Sequence, residues 1–127
     1  MTLVITLITC KREMITLQVF ATVHRAMYEH NGKRYLNLRI DDETRTRITG
    51  IHNLDMYKVS KWCSNKPVDN IIEVKIPWRY NRVMCTIKGD KVPQELKNGD
   101  EVDAVIKYGG PWRVGEYSGF SWQLQSI

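Results

Sequence analysis

The stretch Ile15–Ile40, ITLQVFATVHRAMYEHNGKRYLNLRI, decides how the chain is read. Asn31-Gly32 sits between two alternating runs. Both residues tolerate the positive φ of a two-residue turn, so the dipeptide predicts a β-hairpin. Side chains on a strand alternate between faces. On the first strand Ile15, Leu17, Val19, Ala21 and Val23 share one face, and Thr16, Gln18, Phe20, Thr22 and His24 the other. On the second strand Leu36, Leu38 and Ile40 oppose Tyr35, Asn37 and Arg39. A two-residue turn sets Tyr28 opposite Tyr35, His24 opposite Arg39, Met27 opposite Leu36 and Val23 opposite Ile40. Arg25 then falls on the apolar side, which predicts a bulge or strand end near it. The outer face collects Phe20, His24, Tyr28, Tyr35 and Arg39. Rings mixed with positive charge suit the flat bases and charged backbone of single-stranded nucleic acid. The same rings also serve cross-strand pairing where no ligand is involved.

Downstream, Asp41-Asp42-Glu43 reads as an acidic turn. Thr44–Ile51, TRTRITGI, alternates and predicts a third strand with Arg45, Arg47 and Thr49 on one face. Those arginines either extend the basic-aromatic face or stand in solvent. From Asn53 to Ser64 the spacing turns helical, with Asn53 as N-cap, Asp55 in the first turn and Trp62 packing the helix onto a sheet. Asn65-Lys66-Pro67 ends that helix. Ile71–Tyr80 predicts a fourth strand, in which Pro77 marks an edge or an end. Trp78-Arg79-Tyr80-Asn81-Arg82 is the densest aromatic-basic cluster and reads as a binding loop or strand tip. Val83, Cys85 and Ile87 alternate as a further strand. Leu96–Asp100 reads as a turn, leading into a strand with Val102, Ala104 and Ile106 inward. Gly109-Gly110-Pro111 breaks that strand, and residues 111–119 form a loop with Trp112, Arg113 and Tyr117. The loop is placed either to stack bases and touch phosphates or to fold its tryptophan over the end of a barrel. A last strand, Phe120–Ile127, carries Phe120, Trp122 and Leu124 on one face.

The chain has 127 residues, 19 basic and 14 acidic, for a net charge of +5. That size suggests one domain, and that balance favours a polyanionic partner. Cys10, Cys63 and Cys85 are odd in number and widely spaced, which argues for reduced thiols in a cytoplasmic protein rather than disulfides or zinc. His24, His30 and His52 show no metal-ligand spacing. There is no nucleophile elbow, phosphate-binding glycine loop or His-Cys constellation. The consecutive acids at 41–43 point to different faces and do not make a metal set. The expectation is a non-enzyme with no cofactor and no metal. In the opening MTLVITLITCKRE, charge follows the apolar run, unlike a secretory signal, and the run is too short to span a bilayer. Residues 1–13 read either as an upstream extension before a natural start at Met14, or as an extra strand. Such a strand would cover an edge or pair with another copy in a homodimer. Residues 14–127 form the domain.

Taken in order, these elements predict an all-β architecture, an OB-fold-like five-stranded barrel with one short helix. LKNGDEVDAVIKYGG (96–110) followed by a loop and GFSWQLQSI (119–127) resembles the last hairpin of phage-encoded OB-fold single-stranded-DNA-binding proteins. FATVHRAMYEHNGKRYLNLRI (20–40) is similar to their first hairpin. The two regions cover somewhat under half the chain. The resemblance implies coating of single-stranded DNA without strong sequence preference, during phage replication, recombination or repair in the host cytoplasm, with no membrane involved. Single-stranded RNA is the other ligand of this chemistry. The candidate binding residues are Phe20, Tyr28, Tyr35, Arg39, Arg45, Arg47, Arg79, Trp112, Arg113 and Tyr117. In one respect the chain departs from the pattern. Many such proteins end in an acidic tail that recruits replication partners, whereas this chain stops at Ser126-Ile127, so recruitment through a tail is not expected. The alternative reading is a protein-binding barrel module, such as a small inhibitor of a host enzyme, with its exposed aromatics as interface anchors.

Overall fold

The hairpin predicted at Asn31-Gly32 is present in the computed structural model, which describes residues 15–127. The expectations for residues 1–14, including the natural start at Met14, the extra strand and Cys10, lie outside the described residues. Strand β1 (Thr16–His30) turns through Asn31 (φ 53°) and Gly32 (φ 79°) into β2 (Lys33–Arg39). Tyr28 faces Tyr35, as the turn requires. Farther from the turn the register slips twice, between Val23 and Arg25 and between Arg25 and Tyr28. Each slip adds one residue to β1, so Val23 pairs with Leu38 rather than Ile40, and Arg39 with Thr22 rather than His24. Two single-residue bulges restore side-chain parity. Val23 and Leu38 therefore both stay in the core, while Arg25 is lifted out of it.

The predicted strand at Thr44–Ile51 is instead helix α1 (Asp42–Asn53). Asp41 caps it by accepting the Thr44 N–H at 2.7 Å. Asp42 and Glu43 occupy the first turn, where negative charge suits the helix dipole. Glu43 pairs with Arg47 one turn on, at 3.2 Å. The inward residues Ile48, Ile51 and His52 are spaced for a helix, and the alternation of Thr and Arg obscured that spacing. The helix expected over Asn53–Ser64 is also absent. In its place stand a 3-10 turn (Met56–Lys58) and a short strand, β3 (Trp62–Ser64). Tertiary bonds hold this segment extended. Ser60 N–H donates to Ser118 Oγ at 2.9 Å, and Ser60 Oγ donates to the Glu116 carbonyl at 2.6 Å.

The strand predicted over Ile71–Tyr80 is shorter: β4 (Ile71–Ile76) stops at Pro77, which marks its end rather than an edge. A small hairpin follows, β5 (Trp78–Arg79) and β6 (Arg82–Val83), turning through Tyr80 and Asn81, both at positive φ. Beyond Val83 the predicted strand does not continue. Cys85 and Ile87 still pack against the core, and Thr86 between them makes an isolated parallel bridge to Ser126, so the alternation marked burial with a single rung of pairing. The chain returns as β7 (Glu101–Val114) and β8 (Tyr117–Ser126). Residues 111–119, expected as a loop, are mostly strand. Gly110 (φ 93°) sits beside a register slip that bends β7 without ending it. Among the described residues the ladder of β1 with β7 covers residues 101–107, and Pro111, which has no N–H to give, lies beyond it.

The ladders close a ring in the order β1-β2-β4-β8-β7 and back to β1, with β3 added along β8. The contact of β4 with β8 is parallel, so the barrel is not a simple meander. Among the described residues the architecture is mainly β, an OB-like five-stranded barrel with one α-helix. Leu36, Leu38, Ile72, Val74, Ile76, Ala104, Ile106 and Leu124 are fully buried inside it, and α1 contributes Ile48. No helix among the described residues is long and apolar enough to cross a membrane.

The parallel seam has a single ladder pair, Lys75 with Gln123. Asn65 supplies the missing bonds. Its Nδ2 donates to the carbonyls of Glu73 (2.9 Å) and Phe120 (3.0 Å), and its Oδ1 accepts the Glu73 N–H (2.9 Å). Asn is also suited to the φ of 63° at this position. Asn65→Ala is expected to lower unfolding free energy by about 2 kcal/mol, because it strands backbone groups at the seam. Urea denaturation checks this, and an unchanged midpoint would show that the seam does not depend on Asn65.

Candidate nucleic-acid interface

Tyr35 is the centre of the site. It stands on the outer face of β2, directly opposite Lys75 on β4. Alternation forces this arrangement, since Leu36 and Leu38 on β2 and Val74 and Ile76 on β4 point into the core. Tyr28 stacks on Tyr35, with ring centroids 5.7 Å apart and planes 28° apart. The guanidinium of Arg25, pushed outward by the bulges, lies 3.8 Å from the centre of the Tyr28 ring. The Tyr28 hydroxyl donates to Glu73 and also lies 3.0 Å from Asn37 Oδ1. Burial, then the bond to Glu73, pushes its phenol above the ordinary value. Burial and the Glu73 charge also raise Tyr35. Both rings therefore remain neutral at physiological pH and present π faces without repelling phosphate.

A groove of about 600 Å³ runs over this surface. Its floor is the outer face of β2, β4 and β8, with Tyr35, Glu73, Lys75 and Ser121. One wall is the β1–β2 turn with His30 and Lys33, and the other is Gly110-Pro111-Trp112 of the β7 arm. Trp112 pairs with Gly119 across the arm. A Cβ at Gly119 would come within 2.7 Å of the Trp112 ring and would also strike Ser64 Oγ. The absent side chain at 119 is thus what lets the indole lie down on the sheet, where it remains 42% exposed. Lys33 and Lys75 stand against one carboxylate, Glu73, which Tyr28 already engages. A cleft of about 530 Å³ near the start of β7 has the opposite character, with Asp90, Asp100, Glu101 and Asp103 against Lys88 and Lys91.

The ten residues singled out from the sequence do not all converge. Tyr35 and Trp112 line the groove, and Tyr28 supports Tyr35 from behind. Arg39 lies on the same outer face of β2, with its Nη2 3.1 Å from His24 Nδ1. Tyr117 is 68% exposed on the same face of the arm as Trp112. Arg113 alternates to the reverse face, where its Nε–H donates to the Gly115 carbonyl at 3.1 Å. Phe20 projects from β1 beside Asp103 and Glu101, away from the groove. Arg45 and Arg47 ride on α1, paired with Asp42 and Glu43. Arg79 sits on the β5–β6 hairpin, with its guanidinium 5.8 Å from the Tyr80 ring centre. Sequence reasoning passed over Lys33, Lys75 and Gly119. Lys75 was legible, since it alternates with the buried Val74 and Ile76. Gly119 was hidden, because Gly109-Gly110-Pro111 reads as a strand break and so conceals the two-residue turn between Val114 and Tyr117 that pairs Trp112 with Gly119. Compared with protein-family models, curated proteins and solved structures, the chain matches none.

Proposed function

We propose that this chain binds single-stranded nucleic acid, with DNA as the favoured ligand, without strong sequence preference. The observation that carries the reading is the groove that joins Tyr35 and Trp112 with Lys33 and Lys75. It lies on the outer face of the second and third barrel strands, between the first hairpin turn and the last hairpin. OB barrels use that same surface for oligonucleotides. Rings would stack on bases, and ammonium groups would neutralise phosphates. Apart from Glu73, the side chains offered are rings, ammonium groups, hydroxyls and amides, a set suited to backbone and π contacts rather than to reading one base. With the resemblance of the terminal hairpins, this favours a strand-coating role in phage replication, recombination or repair, in the host cytoplasm.

Titration with oligo(dT), followed by intrinsic tryptophan fluorescence and by anisotropy of a labelled oligonucleotide, tests the proposal. Stacking on Trp112 should quench emission. Neutralisation by Lys33, Lys75 and Arg39 should give a slope of log K against log salt of about −2, at roughly −0.7 per phosphate for single strands. Silence of both signals at low salt would sink the nucleic-acid reading and leave the protein-binding barrel module in its place. Duplex and RNA competitors would define specificity.

A further inference from the structure

The outer face that carries the groove does not end at Trp112. Side chains directly opposite one another in a sheet point to the same side. The register therefore defines two successive rows across the β7 arm, β8 and β3. The first is Trp112–Gly119–Ser64, and the second is Val114–Tyr117–Trp62. Ser64 and Trp112 line the groove, so the second row continues the same surface about 7 Å farther along the strands. Tyr117 is 68% exposed and Trp62 57% exposed. Trp62 had been expected to pack a helix onto the sheet; β3 instead leaves it outside. Its backbone is held in place, since the Trp62 carbonyl accepts from Ser118 Oγ at 3.1 Å. The Lys61 ammonium lies 5.4 Å from the centre of its ring.

We infer that Trp62 and Tyr117 form a second stacking station, and that a single strand leaving the groove past Trp112 continues across them. The inference rests on the proposed function. Continuity of one sheet face, rings presented outward and a cation beside them are the features that a nucleotide strand needs and that an apolar protein anchor does not. The groove residues would bind the first nucleotides, and the second row would add to the length of strand covered. Lys61 would meet the phosphates there.

Oligo(dT) of increasing length, about 4 to 16 nucleotides, the range of site sizes for such barrels, provides the test. Wild type, Trp62→Ala and Trp62→Phe are compared by anisotropy, with light scattering for mass. Wild type and Trp62→Ala should bind the shortest oligonucleotides equally. With longer ones, wild-type affinity should keep rising where Trp62→Ala has levelled off, ending about tenfold tighter, and Trp62→Phe should restore much of the rise. If Trp62→Ala follows wild type at every length, the second station is overturned while the groove reading stands. If wild type binds no oligonucleotide, both fall. If Trp62→Ala converts a dimer to a monomer without changing length dependence, the patch belongs to a second copy of the chain and the inference is overturned.

Discussion

Trp112→Ala is expected to weaken oligo(dT) binding by about 1–3 kcal/mol, the usual range for one stacking ring, with the fold intact. The indole is 42% exposed and forms a wall of the groove, so its removal opens the surface rather than hollowing the core. A second substitution separates ring chemistry from ring placement. Gly119→Ala keeps the tryptophan but puts a methyl group where the indole lies, within 2.7 Å of its Cζ2 and Nε1. The ring must then lift off the sheet, and a substantial part of the same affinity should be lost. Anisotropy titration at fixed salt, with circular dichroism as the folding control, reads both. A folded Trp112→Ala variant with wild-type affinity would remove Trp112 from the site. A Gly119→Ala variant with wild-type affinity would show that the indole works equally well when displaced.

Acid should destabilise the barrel through His52. This residue is 2% exposed and stacks flat on Phe120, with ring centres 3.8 Å apart and planes 7° apart. Its Nε2 accepts the Trp122 indole N–H at 2.9 Å, so the ring sits there neutral, with its proton on Nδ1. Burial lowers its pKa from 6.5 to about 4, partly opposed by the Asp55 carboxylate. Arg45 and Lys66 line the neighbouring cleft. Because the folded pKa lies below the unfolded one, the unfolded chain binds the extra proton between these values. Stability is therefore complete above pH 6.5 and falls as pH drops toward 4, by about 3 kcal/mol. Below about 4 the folded ring also protonates and this slope ends. Asp41 is held below the ordinary range by hydrogen bonds from Thr44, and Asp100 by the Lys97 N–H and Lys91. Their contributions are lost only at still lower pH. Urea denaturation from pH 7 to 4 measures the window, and His52→Gln isolates it. The variant should be less stable at pH 7 and should lack the wild-type decline. A wild-type midpoint unchanged from pH 6.5 to 4 would mean that the folded ring takes its proton freely.

Elements with local causes were readable from the chain. Asn31-Gly32 placed the first hairpin, and the misfit of Arg25 on an apolar face announced the bulges. Alternation identified the inward residues of β2, β7 and β8, and so much of the core. The same alternation put Tyr35 outside, at what became the centre of the groove. It misled at Thr44–Ile51, where Thr and Arg alternate on a helix whose short inward face is Ile48, Ile51 and His52. It also suggested a strand at Val83–Ile87, where burial with a single bridge, Thr86 to Ser126, gives the same pattern.

Local residue chemistry was enough for a mainly β barrel, its inward faces and an aromatic-basic exterior, because turn conformation and side-chain alternation depend on neighbours within a few positions. It was not enough to set Trp62 beside Tyr117 or to close β4 on β8 through Asn65. Each of those depends on register between segments far apart in the chain. One inserted residue reverses every side chain beyond it, and bulges of that kind are set by how the whole barrel closes.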